Sequence, residues 1–108
     1  MQQWVIHAWD GTDPDALSRR MAVREQHLEG VEVLKSRGQY LIGGAMFDDE
    51  GKMIGSTMIV QFETIEERDA WLAREPYLVG DVWKDWKITA FRVAKSALGY
   101  PAPAPPNQ

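Results

Sequence analysis

The sequence predicts an α+β domain with the element order β-α-β-β-α-β, a ferredoxin-like arrangement with two helices on one face of an antiparallel sheet. Three observations predict it: four segments rich in β-branched and aromatic residues, two segments with apolar residues at helical spacing, and the order in which they alternate. The 108 residues suit one domain. We place that domain at residues 1–95, and we expect the Pro-rich tail at residues 96–108 to be extended or disordered.

The first strand and the first helix follow from local residue types. Residues 4–9 are mostly β-branched and aromatic, which is typical of a strand. Asp13 and Pro14 predict the start of a helix, since Asp is a good N-cap and Pro suits the first helical position. Gly38 predicts its end, and Gly30 inside it predicts close packing. The spacing of apolar residues predicts the buried face of this helix, formed by Leu17, Met21, Leu28, Val31 and Leu34.

Three further strands are predicted at residues 40–46, 56–63 and 86–93. Gly44, in the second strand, indicates a bulge or a close approach by a ligand or by backbone. Large apolar residues alternate onto both faces of the strands, and a large exposed apolar face is unusual for a monomer. We therefore expect a homodimer in which two sheets pack face to face as a dimeric α/β barrel.

The second helix is predicted from a capping box. Thr64 suits the N-cap and Glu67 the reciprocal position three residues later. The helix is expected to reach about Arg74, because the residue before Pro76 avoids helical angles. Residues 77–85 are predicted to be irregular or a short turn.

Charge and composition exclude several classes of function. The net charge of -4 argues against nucleic acid as the main partner. No apolar run approaches the roughly 20 residues of a membrane span, and the N-terminus lacks the features of a signal peptide. The chain has no Cys and so has no thiolate chemistry. We expect a cytoplasmic protein whose partners are a small molecule and a second copy of itself.

Five blocks of sequence, in order and spacing, resemble the YCII-related family. They lie at residues 5–10, 20–28, 38–46, 55–59 and 75–77, with Val82-Trp83 and Phe91 following the last block. The helix block contains the family's Arg-x-x-His-Leu pattern, which begins at Arg24. The resemblance covers roughly residues 4–93 and implies a ferredoxin-like fold and a dimer.

The resemblance also implies a pocket that contains a helix histidine and an acid before a Pro-aromatic pair. By position these residues are His27 and Glu75. The family usually has Asp at the second place and Ala-Gly where this chain has Gly80-Asp81. Whether Glu75 or Asp81 pairs with the histidine is therefore open at this stage.

His27 is the candidate group for proton transfer, because imidazole titrates near neutrality and a carboxylate can orient it. The alternative is a core histidine with one hydrogen-bonded nitrogen. Glu75 is the second catalytic candidate. The expected substrate-binding residues are His7, Arg24, Gly44, Ser56, Tyr77, Asp81 and Trp83. No spacing matches a standard metal site, a phosphate loop or a dinucleotide fingerprint, so we expect neither metal nor cofactor.

The resemblance implies cofactor-independent chemistry on a small organic, aromatic or lactone-like molecule, such as isomerisation, lyase-type elimination or dehalogenation. Two alternatives stay open. One is a non-catalytic dimer that binds a metabolite or acts as a regulator. The other is a partner-binding module that uses the Pro-rich tail as its recognition segment. Whether the chain is an enzyme is thus undecided by its sequence.

Overall fold

The computed structural model describes residues 1–94 of the chain. The observed elements are β1 (Gln2–Asp10), α1 (Ala16–Ser36), β2 (Tyr40–Phe47), β3 (Met53–Phe62), α2 (Ile65–Leu72), α3 (Pro76–Val79) and β4 (Trp83–Phe91). The short helix α3 was not predicted. All strand pairs are antiparallel, and the sheet order is β2-β3-β1-β4. The α+β class and the ferredoxin-like order are confirmed. The predicted tail at 96–108 lies outside the described residues.

The central strand β1 divides its side chains between two faces of the sheet. Trp4, Ile6, Ala8 and Asp10 are buried, and the residues between them are half-buried or exposed. The first three of these belong to the hydrophobic core, together with side chains of the helices such as Leu34. The buried face of the sheet is therefore the face that the helices cover.

The opposite, outer face of the sheet carries large apolar side chains as well. Trp9 is exposed there, and strand register places Phe91 of β4 and Ile42 of β2 on the same face. Each of these three side chains is about two-fifths exposed in the single chain, at 40%, 43% and 43%. The expectation that both faces carry large apolar groups is confirmed.

The start and the buried stripe of α1 differ from the prediction. The N-cap is Asp15 rather than Asp13, because residues 13–15 first form a turn in which Asp13 bonds the amide of Asp15. Met21 and Leu28 are exposed, whereas Arg20 and His27 occupy the buried stripe with Leu34. Two polar side chains thus replace two apolar ones at the centre of the helix–sheet contact.

The end of α1 is the one that Gly38 predicts. Its φ of 70° is left-handed, and the amides of Gly38 and Gln39 bond the carbonyls of Lys35 and Leu34. This pattern is a Schellman motif. The close packing expected at Gly30 is wrong, since no atom lies within 4 Å of a Cβ built there. No helix within residues 1–94 has the length and apolar character needed to cross a membrane.

The segment after β3 positions the candidate acid. Thr64 caps α2 as predicted, its hydroxyl accepting a hydrogen bond from the Glu67 amide at 3.1 Å. Helix α2 ends at Leu72, two residues early, and α3 follows with Pro76 in its first turn. Strand β4 begins at Trp83 and β3 at Met53, each three residues before the predicted start, and both extensions pair with neighbouring strands.

Candidate functional site

The centre of the site is a contact between a helix histidine and the acid that caps α3. His27 lies on the buried stripe of α1, and its Nδ1 is 2.5 Å from Oε1 of Glu75. The same Oε1 accepts a hydrogen bond from the backbone amide of Tyr77 at 3.2 Å. The two side chains are only 10% and 2% exposed. Backbone and packing together therefore fix the carboxylate against the imidazole.

Tyr77 connects this pair to a buried arginine. Its ring stacks on His27 with 4.0 Å between centroids and an interplanar angle of 18°. The guanidinium carbon of Arg20 lies 4.5 Å from the centroid of the same ring. Arg20 and His27 are seven residues apart, or about 10 Å along the helix axis, so the phenol ring fits between their side chains. Burial raises the pKa of Tyr77, and the Arg20 charge opposes this rise.

A second polar cluster surrounds Arg20. Its Nη1 contacts both carboxylate oxygens of Asp10, at 3.0 and 3.1 Å, and its Nη2 donates to the Ser56 hydroxyl at 2.7 Å. The charged side chains are 3% and 2% exposed. Burial raises the pKa of Asp10 above its usual range, although the Arg20 charge works in the opposite direction. The ion pair thus carries a large desolvation cost.

The indole of Trp83 lies next to both clusters. Trp83 pairs with Asp10 across β1 and β4, and its ring centroid is 6.4 Å from that of His27. Its Nε1 and the Nε of Arg20 are buried donors without a partner within residues 1–94. Buried donors are usually satisfied, so both are candidate contacts for a ligand or a water molecule.

The structure brings together some of the predicted site residues. Ser56, Tyr77 and Trp83 are buried beside the His27–Glu75 pair or its neighbouring cluster. The open question about the acid is answered by geometry, since it is Glu75 that contacts the histidine.

Four other predicted site residues do not take part in the His27–Glu75 contact. Asp81 is exposed and bonds Lys84 at 2.5 Å. His7 and Gly44 lie on the outer face of the sheet, where His7 Nδ1 is 3.1 Å from the Thr57 hydroxyl. Arg24 is exposed, and no carboxylate within residues 1–94 forms an ion pair with it. None of the four forms a hydrogen bond or ion pair with His27 or Glu75 within residues 1–94, and their role in substrate binding stays a prediction.

Sequence reasoning missed Asp10 and Arg20 as site residues. Asp10 ends β1 on the face of the buried Ile6 and Ala8, so the two-residue period was a signal of its burial. Arg20 precedes His27 by seven residues, which places both on one face of a helix. Among residues 1–94 no three His, Cys, Asp or Glu side chains are arranged to hold a metal ion.

A cavity of about 480 Å³ lies between α1 and α2, and Glu75 forms part of its wall. Apolar side chains that include Phe62 and Trp71 line it, with Arg37 and Arg74 among its polar residues. The volume is within the usual range for sites that bind small molecules, about 300–1,000 Å³.

The YCII-related domain matches residues 4–92 of the chain. The chain belongs to the YCII-related family. An uncharacterised protein of Haemophilus influenzae is 36% identical over 95 residues, which cover 82% of this chain and 95% of that protein. Protein YciI of Escherichia coli is 33% identical over the same shares of the two chains.

Solved structures show the same fold. The 5-chloro-2-hydroxyhydroquinone dehydrochlorinase TftG of Burkholderia phenoliruptrix, in complex with 2,5-dihydroxybenzoquinone, matches with a TM-score of 0.73 and 21% identity, over 86% of this chain and 96% of that one. A putative antibiotic biosynthesis monooxygenase of Nitrosomonas europaea matches with a TM-score of 0.52 and 12% identity, over 88% and 91% of the chains. Both matches share the ferredoxin-like fold of this chain, which agrees with the fold predicted from the sequence.

Proposed function

We propose that this chain is an enzyme that uses the His27–Glu75 pair for proton transfer on a small organic molecule, without a cofactor. The observation that carries the proposal is the buried 2.5 Å contact between Nδ1 and Oε1. A carboxylate at this distance fixes the orientation of an imidazole and stabilises its cation. Such a pair can take a proton from a substrate and return it, as isomerisation and elimination require.

The surrounding residues support chemistry rather than packing alone. The rings of Tyr77 and Trp83 lie against His27 and the pair is buried, so its hydrogen bonds and charges act more strongly than in water. The structural neighbour that carries the name of a dehydrochlorinase guides the choice of substrates, so hydroxylated and halogenated ring compounds are the first class to assay. Lactones follow as the second class.

The test is turnover of a substrate panel by the parent and by His27→Asn. Asn places an amide donor near the position of Nδ1 and so keeps the contact with Glu75, but it cannot take up a proton. We expect the rate on any substrate of the parent to fall about 10²–10⁴-fold. Unchanged turnover by the variant would refute the proposed role of His27.

A second candidate function is a metabolite-binding or regulatory dimer without catalysis. The observation that favours it is that His27 and Glu75 bond each other, since a buried His–Glu contact can also serve to stabilise the fold. Saturable binding of a ring compound without turnover by the parent would support this alternative and reject the enzyme.

We also propose that a second copy of the chain covers the outer face of the sheet. Trp9, Ile42 and Phe91 are its exposed apolar side chains, and burial of such a face between two copies is favourable. His7 and Gly44 would then lie in the dimer interface. Sedimentation of the parent and of Trp9→Glu tests this assembly, and a parent that remains monomeric would reject it. We place the protein in the cytoplasm.

A further inference from the structure

We infer that the cavity between α1 and α2 binds a small planar hydroxy acid, and that this ligand reaches the catalytic pair through Glu75. The inference rests on the proposed function, because it names the class of substrate for the same pair. It is carried by three features of the cavity wall: a carboxylate oxygen that no group within residues 1–94 donates to, two arginines without ion pairs in the same residues, and an aromatic floor.

The carboxylate oxygen is Oε2 of Glu75. Oε1 receives both contacts of this carboxylate, from His27 and from the Tyr77 amide, whereas no group within residues 1–94 donates to Oε2. The side chain is 98% buried and lines the cavity, while His27 is not among the lining residues. Oε2 is accessible to solvent rather than sealed in the core, and a ligand hydroxyl that enters the cavity can donate to it.

The two arginines give the cavity a preference for anions. Arg37 follows the last turn of α1 and Arg74 follows α2, and both side chains line the cavity. Neither guanidinium forms an ion pair with a carboxylate of the described chain. The lining contains one further acid, Glu67, which is exposed, and His27 already contacts Glu75. A ligand carboxylate therefore meets two guanidiniums and two lining carboxylates, of which Glu67 is exposed to solvent and Glu75 is held by His27. Guanidinium binds carboxylate in a bidentate way, which favours the arginine side of the cavity for an acid group.

The floor of the cavity favours a flat ring. Phe62 and Trp71 stack with 5.7 Å between centroids and 30° between planes, and Leu34 lies beside them in the lining. A single aromatic or alicyclic ring packs on such a surface, and the volume of about 480 Å³ accommodates it with both substituents. The ligand would direct its hydroxyl to Glu75 and its acid group to the arginines.

The experiment uses the full chain and three probes. They are para-hydroxybenzoate, benzoate, which lacks its hydroxyl, and phenol, which lacks its carboxylate. Binding is followed through the indole N–H resonance of Trp71, assigned with Trp71→Phe. We expect para-hydroxybenzoate to shift this resonance and to bind more tightly than either probe that lacks one group. The double variant Arg37→Gln/Arg74→Gln should weaken its binding at least about tenfold, because a charge-assisted contact is lost. The double variant Lys52→Gln/Arg92→Gln removes an equal charge outside the cavity lining and should leave the affinity unchanged.

The outcomes separate this inference from the proposed function. Binding of para-hydroxybenzoate at the Trp71 side, with no turnover of any ring hydroxy acid, keeps the inference and rejects the enzyme. Turnover of a ring compound that never shifts the Trp71 resonance keeps the enzyme and rejects the inference. Equal affinity of the parent and the double arginine variant also overturns it, since the acid group would then bind elsewhere.

Discussion

Arg20 and Arg19 are neighbours that each bind an aspartate through two nitrogen–oxygen contacts, but in opposite environments. The Arg20–Asp10 pair is almost fully buried, whereas the side chains of Arg19 and Asp13 are 28% and 45% exposed. We predict that Arg20→Met destabilises the protein by about 3–5 kcal/mol, because it leaves the Asp10 carboxylate buried without its counter-ion. The Ser56 hydroxyl loses its donor in the same variant.

Arg19→Met is the matched control. It removes a bidentate contact of similar length, 2.7 and 2.8 Å, but from the surface, where ion pairs contribute little. Urea unfolding followed by tryptophan fluorescence, at one fixed protein concentration, measures both variants. A loss of 3 kcal/mol or more moves the midpoint for Arg20→Met by at least about 1 M urea. Equal midpoints for the two variants would refute the reasoning from burial.

The loss of stability that Arg20→Met causes should also depend on pH. Burial raises the pKa of Asp10 in the folded protein above its unfolded value. The folded state therefore binds this proton more tightly, and stability is lost as pH rises through the raised pKa. In Arg20→Met, burial without a counter-ion destabilises only the ionised form of Asp10. The loss of stability relative to the parent should therefore be smaller at pH 5 than at pH 8. Adding Asp10→Asn to Arg20→Met should recover part of the stability at pH 8, because no buried charge then remains.

Three further substitutions test the fold by urea unfolding. Gly30→Ala should raise the stability by up to about 1 kcal/mol, because Ala favours a helix interior and its Cβ meets open space; a loss would contradict the open environment. Gly80→Ala should cost about 1–3 kcal/mol, since its Cβ would lie 2.8 Å from the Pro76 carbonyl oxygen and 3.2 Å from Val23; an unchanged midpoint would mean that α3 can move away from α1. Thr64→Ala should cost about 1 kcal/mol through the lost cap of α2, whereas Thr64→Ser should retain the parent stability.

Local signals in the sequence predicted those features of the fold that depend on a few neighbouring residues. Thr64 and Gly38 marked helix ends correctly, because a cap requires only the hydrogen bonds of one turn. The buried stripe of α1 was predicted less well. Met21 and Leu28 were assigned to the core because they are apolar and recur at helical spacing, but both are exposed. Arg20 is buried instead, with Asp10 as its partner. That partner comes from another element, and spacing along the helix does not reveal it.

The His27–Glu75 pair shows the same limit at the candidate site. The two residues are 48 positions apart, so no local pattern predicts their contact, and it was the family resemblance that selected them. The resemblance left Asp81 as a rival acid. The structure excludes Asp81 as the contact of His27, because this residue adopts a left-handed φ of 59° and its carboxylate bonds Lys84 at the surface. Tertiary folding decides between two acids that are six residues apart.

Glu75 both contacts His27 and caps the first turn of α3, and one oxygen atom performs both tasks. Any change in the charge of this carboxylate during a reaction is consequently transmitted to the backbone amide of Tyr77. We therefore expect proton movement at the pair to change how easily the first turn of α3 opens. We expect the rate of amide hydrogen exchange at Tyr77 to report the protonation state of the site, also in the absence of substrate. For the same reason, a substitution of Glu75 changes local order together with chemistry, and a change in rate alone does not separate the two.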